Sequence, residues 1–542
     1  MIKRSVLRTA LTLSCVFAMA ALFPAWGRGK AELGTSPSAS RTYARHIVFT
    51  YPAISPDQAG VDNDGKPDPT FEWLKEKFNF ELDWVAVTWS DYFLEKPSLW
   101  MASGEQPDIM MLDISPSRYF NFVKWAKAGQ LKAYPAFGGT YPNLQKSWDQ
   151  ATGGKKFAID GKVYAFPSLI DTAKFGFVNG KSWTYRKDWA EAVGLRTPND
   201  EYTWDQWITL MKTVIARDPG KNGVGRTIGW EGLDWQYPRT LDAVRALSPS
   251  LQTYAKMAGK WVWGPQLPES LAAVKLTRKL YDEGLIWHDQ PIATGSSDQM
   301  TDDFSNGKLF STSGVNTVYG GLLTTVQRFE AANPGKKAQD AVGLAIVKAP
   351  DGFVYAEQSP DHWTETAMAP NLSQEKVDRW LDILDYLVSE EGYYVRNFGR
   401  PGIDWEVKNG ELVLKYEKNP DGAYMFPTGL NWDHSWQWGY RGGCSDSASL
   451  YNPGNVKWIQ DAVLKVMNRM HQKDVKVIPF NVELNYFNGP NFSKVGTMER
   501  EIYQEIALLM NSKDIEKDWN AWVASQSAKV QPVLEELNAN LK

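Results

Sequence analysis

The sequence predicts an α/β protein built from more than one lobe. Strand and helix patterns alternate from His46 through Leu112, which favours layers of helix on sheet. The chain has 542 residues, whereas a single hydrophobic core stops growing at about 250 to 300 residues. Its content of 43% hydrophobic and 23% charged residues is that of a globular protein. Two or more large lobes are therefore expected.

The order of elements near the start supports this class. HIVFTYPA, residues 46–53, predicts an opening strand. An amphipathic helix is predicted from Thr70, and an alternating strand from Phe80. Another strand is expected to enter at Asp108. Later in the chain, 377–399 predicts one helix ending at Gly392, and the last 60 residues are expected to be helical throughout.

The N-terminal segment has the pattern of a secretory signal. Lys3, Arg4 and Arg8 precede an uncharged stretch, residues 9–27, whose apolar run is short for a membrane span. Cleavage after Gly27 would leave a small-residue linker over 28–45. An alternative site follows Ala18-Met19-Ala20, and Cys15 leaves lipidation as another alternative. The protein is thus expected to be exported, either periplasmic or associated with the cell surface.

The charge balance argues against a nucleic-acid partner, and the number of cysteines argues against internal disulfides. The chain carries 59 basic and 63 acidic residues, a net charge of -4, so its electrostatics do not predict nucleic-acid binding. If Cys15 leaves with the signal, Cys444 is the only cysteine that remains. No internal disulfide is then expected, and stability must come from the cores.

The stretch RDPGKNGVGRTIGW, residues 217–230, partly matches two ligand motifs. A phosphate-binding loop should follow a strand, but a helix is predicted before this stretch and Arg226 replaces the motif's lysine. A calcium loop needs oxygen ligands at places 3, 9 and 12. Gly220, Arg226 and Gly229 occupy those places. We therefore predict a glycine-rich turn, with neither nucleotide nor a required calcium ion.

The sequence contains few other patterns typical of metal-binding or catalytic sites. The acidic turn DNDGKPD, 62–68, lacks a closing carboxylate, and it is expected to be a solvated turn with a metal site as the alternative. Only five histidines occur, with no H-E-x-x-H and no G-x-S-x-G. Asp361 and Glu365 could serve a glycosidase as a carboxyl pair. We expect no cofactor and no catalysis, and a secreted glycoside hydrolase is the alternative.

Aromatic residues beside polar ones are the most unusual feature. The chain has 25 tryptophans, and flat indoles suit the apolar faces of sugar rings while neighbouring polar groups bind hydroxyls. NWDHSWQWGYRGG, 431–443, interleaves three tryptophans with such groups and is a candidate stacking platform. The alternative is that these tryptophans fill a satellite core.

Several phrases resemble the extracellular solute-binding proteins of ABC importers for sugars and oligosaccharides, a class that includes maltose-binding and alginate-binding proteins. They occur in the family's order between about residues 46 and 412. They are MASGEQPDIMML (101–112), GKVYAFPS (161–168), WTYRKDWAEAVGL (183–195), DPGKNGVGRTIGW (218–230), FSNGKLFSTSG (304–314) and EEGYYVRNFGRPGIDWEVKNGEL (390–412).

The resemblance implies a two-lobed, periplasmic-binding-protein-like fold of type II, with a hinge and a cleft between the lobes that closes on ligand. Lobe 1 would take 46–170 and the return segment 355–412. Lobe 2 would take 171–354 and most of 413–542, which ends in a helical tail. A monomer that delivers an oligosaccharide to separate membrane permease subunits is expected. Peptides or other polar solutes are the alternative ligands.

The predicted ligand residues come from the resemblance and from the aromatic pattern. Position in the family suggests Asp113, Asp171, Trp183 and Trp363, and we add Trp89. The pairing of aromatic with polar residues adds Trp230, Trp235, Trp432, Trp436 and Trp438.

Overall fold

The computed structural model describes most of the chain after its first 40 residues. The described residues are 41–53, 59–61, 65–88, 92, 95–114, 118–151, 153–169, 178–179, 182–230, 254–286, 297–313, 319–358, 361–418, 424, 456–478, 480–496 and 498–541. The predicted signal and linker lie mostly outside them. No helix in the described part of the chain has the length and apolar character to cross a membrane.

Helices and strands alternate along the described residues, which confirms the α/β class. The strands are β1 Ile47–Ala53, β2 Phe80–Ala86, β3 Ile109–Leu112, β4 Ala158–Ile159, β5 Lys162–Val163, β6 Phe166–Leu169, β7 Val178–Asn179, β8 Trp183–Arg186, β9 Glu201–Tyr202, β10 Ile228–Trp230, β11 Tyr254–Met257, β12 Lys260–Trp263, β13 Leu309–Ser313, β14 Val342–Val347, β15 Val354–Gln358, β16 His362–Met368, β17 Trp405–Lys408, β18 Glu411–Leu414 and β19 Val475–Ile478.

The helices cover the faces and ends of these sheets. They are α1 Pro69–Phe78, α2 Lys96–Ser103, α3 Tyr119–Lys127, α4 Pro142–Gln150, α5 Lys187–Ala192, α6 Trp204–Arg217, α7 Pro268–Asp282, α8 Ser297–Ser305, α9 Tyr319–Ala332, α10 Ala338–Ala341, α11 Gln374–Leu387, α12 Glu390–Phe398, α13 Lys457–Met470, α14 Val482–Asn485, α15 Pro490–Val495, α16 Glu499–Leu509 and α17 Ile515–Asn540.

The first lobe is built on two small sheets. Strands β1 and β2 pair in parallel with Ile47 opposite Phe80, and β16 lies between β3 and β6 in an antiparallel sheet. Thr50 joins the sheets, because its N–H donates to Asp108 (2.9 Å) and its Oγ1 accepts from the Asp108 N–H (2.8 Å). Phe49 and Trp380 are fully buried in the core between these strands and helices α1 and α11.

The second lobe is built on one mixed sheet of five strands in the order β10-β13-β8-β14-β9. One core contains Tyr185, Trp207 and Phe310 and extends to Trp519 of α17. The other core contains Phe329 and Val463 from helices α9 and α13. The C-terminal helix therefore completes a core of this lobe.

Three strands form a separate sheet where the chain passes between the lobes, and we call it the connecting sheet. Its order is β19-β15-β7, with β15 parallel to β19 and antiparallel to β7. Strand β7 follows β6 of the first lobe and precedes β8 of the second, while β15 leads from β14 back to β16. These two linking strands, together with β19, are thus tied to one another by backbone hydrogen bonds.

The single helix predicted over 377–399 is wrong. Helix α11 ends at Leu387 and α12 begins at Glu390. The break arises at Ser389, whose backbone is extended (φ -75°, ψ 169°) and whose hydroxyl accepts the Gly392 N–H at 3.1 Å. Ser389 is therefore an N-cap. Gly392 lies inside α12 and does not end it.

The last 60 residues are not helical throughout, although their described part is mainly helical. Loops separate α14, α15, α16 and α17. Gly489 precedes Pro490 at the start of α15, and Gly496 ends that helix with φ +64°. Both features are ordinary helix boundaries, because proline suits the first helical turn and glycine adopts positive φ without strain.

We predict that Gly392→Ala strongly destabilises the protein. A Cβ at this position would lie 2.0 Å from the Tyr386 carbonyl oxygen and 2.6 Å from the Leu387 Cα. Since both obstacles are backbone atoms, the α11–α12 junction would have to open, at a cost of about 3 kcal/mol. Urea unfolding measures this loss.

Gly139→Ala is the matched control for this substitution. Nothing lies within 4 Å of a Cβ placed there, so its free energy of unfolding should change by less than about 0.5 kcal/mol. Because alanine is intrinsically the better helix former, a Gly392→Ala protein as stable as the parent would show that the junction is looser than described.

Candidate functional site at the junction of the lobes

The candidate site lies where β3 ends beside the start of β16. Glu365 of β16 is opposite Leu112, the last residue of β3, and Asp113 and Ile114 follow directly. Strand β16 begins shortly after β15 of the connecting sheet. In open α/β sheets, ligands bind outside the carboxyl ends of strands. The end of β3 therefore lies near the strand that leads out of the connecting sheet, and a ligand-facing role for Asp113 stays a prediction.

A bulge in β16 sets the direction of its polar side chains. Strict alternation would place His362 and Glu365 on opposite faces of the strand. Thr364 has φ +64°, and the pairing with β6 shifts register between His362 and Glu365. As a result, His362 Nε2 lies 3.5 Å from Glu365 Oε1. Bulges of this kind re-aim side chains next to functional sites.

Asp361, His362 and Tyr486 form a buried polar network. His362 Nδ1 lies 2.7 Å from Asp361 Oδ1, and His362 Nε2 lies 2.8 Å from the Tyr486 hydroxyl. The Asp361 carboxylate also accepts the Gly153 N–H at 3.2 and 3.3 Å. Burial, and then the nearby Glu365 and Asp361 charges, raise the pKa of Tyr486. Its hydroxyl therefore stays protonated and can donate.

Glu365 adjoins this network and holds the end of β3. Its side chain is 2% exposed, and its Oε2 accepts the Ile114 N–H at 2.8 Å. Burial raises the pKa of Glu365 well above its usual value, and repulsion from Asp113 adds to the shift. Asp113 itself is half-buried and forms an ion pair with Arg118. Burial therefore favours the protonated form of Glu365, which lies close to the ion-paired Asp113.

The predicted glycosidase pair, Asp361 and Glu365, is engaged in these internal contacts. Their side chains are 5% and 2% exposed, and Gly153, His362 and Ile114 occupy their oxygens. A glycosidase needs both carboxyl groups to flank the scissile bond. The arrangement suits structural positioning and gives no support to hydrolysis by this pair.

The structure places two of the predicted tryptophans in the core of the second lobe. Trp183 and Trp230 are 7% and 0% exposed, and their ring centroids are 3.9 Å apart. Trp183 also packs edge-on against Trp207 at 5.4 Å. Packing accounts for both indoles, and a role in ligand binding stays a prediction.

Of the other predicted ligand residues, some are described by the structure and the rest lie outside the described residues. Trp363 lies in β16 directly after His362, and its side chain is outside the described atoms. Asp113 is the predicted residue that the described part of the chain brings to the junction. Outside the described residues lie Trp89, Asp171, Trp235, Trp432, Trp436 and Trp438.

Sequence reasoning missed His362 and Tyr486 as members of one site. The spacing of Asp361, His362 and Glu365 was a local signal, because three ionisable side chains within five residues are unusual in a buried strand. Tyr486 gave no local signal, since it lies 124 residues from His362.

Residues 218–227 form a turn between α6 and β10, as predicted. Asp218 has φ +43°, and its carboxylate accepts the N–H of Asn222 (3.0 Å), the N–H of Gly223 (2.8 Å) and the Thr227 hydroxyl (2.8 Å). The Gly223 N–H is the main cause that lowers the pKa of Asp218. The Asp218 carboxylate therefore closes the turn on itself through three internal hydrogen bonds.

Packing also leaves no room for a metal-binding side chain at Gly220. A Cβ there would lie 2.5 Å from the Trp189 ring. In the DNDGKPD turn, Asp68 caps α1 by accepting the N–H groups of Thr70 and Phe71, both at 2.8 Å, and burial raises its pKa to about 6. Within the described ranges, no cluster of three or more His, Cys, Asp or Glu residues is placed to hold a metal ion.

Comparison with solved structures confirms the two-lobed fold that the resemblance implies. The crystal structure of alginate-binding protein AlgQ2 without calcium ion has TM-score 0.62 and 18% identity over 92% of this chain and 98% of its own. The S. pneumoniae ABC-transporter substrate-binding protein FusA in complex with kestose has TM-score 0.61 and 16% identity over 91% of this chain and 100% of its own.

A third similar structure is an HMO-binding, ABC-transporter-associated solute-binding protein from Bifidobacterium longum infantis. It has TM-score 0.58 and 17% identity over 92% of this chain and 98% of its own. No family model matches the sequence, and no curated protein matches it.

We predict that Gly153→Ala destabilises the junction. A Cβ at Gly153 would lie 2.8 Å from His362 Cε1 and 3.0 Å from Asp361 Oδ1, so the imidazole or the Gly153 backbone would have to shift and disturb the network. The expected loss is about 1 to 3 kcal/mol, measured by urea unfolding with Gly139→Ala again as control. Equal stability of the two variants would contradict the tight contact.

We also predict that removing calcium leaves stability unchanged. Internal donors satisfy Asp218, and Gly220, Arg226 and Gly229 supply no ligand at places 3, 9 and 12. The melting temperature should agree to within about 1 °C in EDTA and in millimolar CaCl2, because a ligand that does not bind the native state cannot shift unfolding. A large drop in EDTA would reveal an ion site elsewhere in the chain.

Proposed function

We propose that this protein is the extracellular solute-binding component of an ABC importer and that it captures an oligosaccharide. The observation that carries the proposal is the two-lobed fold, which it shares over about nine-tenths of its length with an alginate-binding protein and with a protein solved in complex with kestose. At 18% and 16% identity the likeness concerns fold, so the ligand class rests on this proposal and on its test.

The lobes would close on the ligand about the connecting sheet. Lobe 1 would comprise 46–170 and 355–412, and lobe 2 would comprise 171–354 and most of 413–542. Support comes from the cores, because the first-lobe core around Phe49 and the second-lobe core around Tyr185 are distinct clusters. Three short paired strands between two rigid bodies are suited to a hinge.

Ligand recognition would combine stacking with hydrogen bonds. Asp113, at the end of β3, would accept hydroxyl protons from the first lobe, and Trp363 follows His362 on the neighbouring strand. Trp89, Asp171 and Trp235 are further proposed contacts, and Trp183 and Trp230, which are buried in the second-lobe core, would take part only if ligand binding exposed them. Trp432, Trp436 and Trp438 would form a stacking platform, since indole faces suit sugar rings.

Transport itself would require partners. The predicted signal would export the chain, and separate permease subunits in the membrane would receive the ligand from the closed form. Because a binding protein needs affinity and release but no bond cleavage, the absence of a recognisable catalytic motif in the sequence fits this role. We infer that the protein acts as a monomer and does not turn over its ligand.

The test is a thermal-shift screen against mono- and oligosaccharides, including kestose, maltotriose and alginate oligosaccharides. A ligand that binds only the native state stabilises it by RT ln(1 + [L]/Kd), about 2.7 kcal/mol at 100 times Kd. We expect at least one oligosaccharide to raise the melting temperature in proportion to the logarithm of its concentration.

Prolonged incubation with the same sugars is the accompanying control, and we expect no new reducing ends. Cleavage at an enzymatic rate would favour a glycoside hydrolase. A flat response across the whole panel would favour peptides or another polar solute as ligand.

A further inference from the structure

We propose that Glu365 is a positioning residue that holds the end of β3, Asp113 and Ile114, in its ligand-binding position and couples it to the passages between the lobes. We call Asp113 and Ile114 the β3 exit. The inference rests on the proposed function, since Asp113 of the β3 exit is one of the predicted ligand contacts of the first lobe. It adds a residue that neither the ligand prediction nor the fold assigns.

The first evidence is a hydrogen bond between distant parts of the chain. The Ile114 N–H donates to Glu365 Oε2 at 2.8 Å, across a sequence separation of 251 residues. Ile114 is 3% exposed, so water is excluded from this amide. A buried N–H that loses its acceptor is costly and pulls the backbone toward another partner. Glu365 therefore fixes the backbone immediately after Asp113.

The second evidence is the position of Asp113 on its strand. All four residues of β3 are buried, which makes Asp113 the first half-exposed residue after the strand. Its carboxylate is paired with Arg118 at the start of α3. The direction in which Asp113 leaves the sheet is thus decided by its neighbour Ile114 on one side and by Arg118 on the other.

The third line of evidence is the polar network next to Glu365. His362 Nε2 lies 3.5 Å from Glu365 Oε1 and 2.8 Å from the Tyr486 hydroxyl, while its Nδ1 contacts Asp361. Asp361 lies between β15 and β16, and Tyr486 follows β19 and α14. The network therefore includes residues that follow β15 and β19, two strands of the connecting sheet, so a change in their arrangement would reach the β3 exit through His362 and Glu365.

Aromatic rings keep this network from relaxing. Phe157 packs edge-on against His362 with centroids 5.1 Å apart, and Tyr119 packs edge-on against Tyr486 at 5.3 Å. Phe157 also contacts Tyr486 at 5.7 Å. Because these rings leave the imidazole and the phenol few alternative rotamers, displacement of one polar member must displace the others.

The charge of Glu365 determines which substitution should be tolerated. The ionisable groups around it are Asp113, whose charge raises the pKa of Glu365, and His362 with its partners Asp361 and Tyr486. Since burial also raises that pKa, the neutral acid is favoured. Glutamine retains the neutral charge, the shape and a carbonyl acceptor for Ile114. Methionine retains the length but has no comparable acceptor.

The experiment compares Glu365→Gln, Glu365→Met and Asp382→Asn in the full chain. Asp382 is a matched control, because it is another buried acid of the first lobe, with a pKa raised to about 6, and its partners Tyr43 and Arg41 are remote in the chain from the β3 exit. Melting temperature, hydrogen exchange of a peptide covering 109–118, and Kd are measured for each variant. The probes are kestose, maltotriose and an alginate oligosaccharide.

We expect Glu365→Met to weaken binding of the recognised probe at least tenfold and to speed exchange of 109–118. Glu365→Gln should stay within threefold of the parent in Kd. Asp382→Asn should lower the melting temperature and leave both Kd and that exchange unchanged. A purely structural role predicts instead that Glu365→Met and Asp382→Asn melt earlier with Kd unaltered.

A Glu365→Met protein with parental Kd and parental exchange would overturn the inference. Should Glu365→Met fail to fold, Tyr486→Phe replaces it, since loss of the phenol hydroxyl removes the contact to His362 and is expected to speed exchange of 109–118. If no probe binds the parent, the proposed function fails for these sugars. The exchange of 109–118 still decides whether Glu365 positions the β3 exit.

Discussion

The pairing of β7, β15 and β19 in one sheet is the constraint on which the rest of the structure depends. Strand β15 pairs with both β7 and β19, so these three strands cannot move independently without breaking backbone hydrogen bonds. Val354 and Ala356 of β15 are also buried in a core of the second lobe, which anchors the sheet to that lobe. A sheet anchored in this way would suit the hinge that the proposed function requires.

A second feature close to the connecting sheet is the polar network at the start of β16. Burial of Asp361, His362 and Glu365 is costly unless each group is hydrogen-bonded, and here each has a partner from a different segment of the chain. Thr364 pays a conformational cost as well, because a β-branched residue at φ +64° is unusual. Such strain is retained where the surroundings over-determine it, and it is concentrated at functional sites.

The turn at 218–227 shows how geometry separates a true ligand motif from a partial one. Its sequence matches parts of two binding loops, but Asp218 uses its carboxylate to close the turn on itself. The Trp189 ring fills the space beside Gly220. The hydrogen-bonded Asp218 carboxylate and the packed indole together organise the backbone of this turn.

The sequence by itself determined the α/β class, the main strands and helices at the N terminus, and the resemblance in fold, because hydrophobic periodicity and turn residues are local signals. It did not determine the break at Ser389, where a serine cap ended a continuous apolar pattern. Nor did it separate core from cleft tryptophans, as the packing of Trp183 on Trp230 illustrates. Only the tertiary structure joined Tyr486 to His362 and Ile114 to Glu365, because contacts across 124 and 251 residues leave no trace in local spacing.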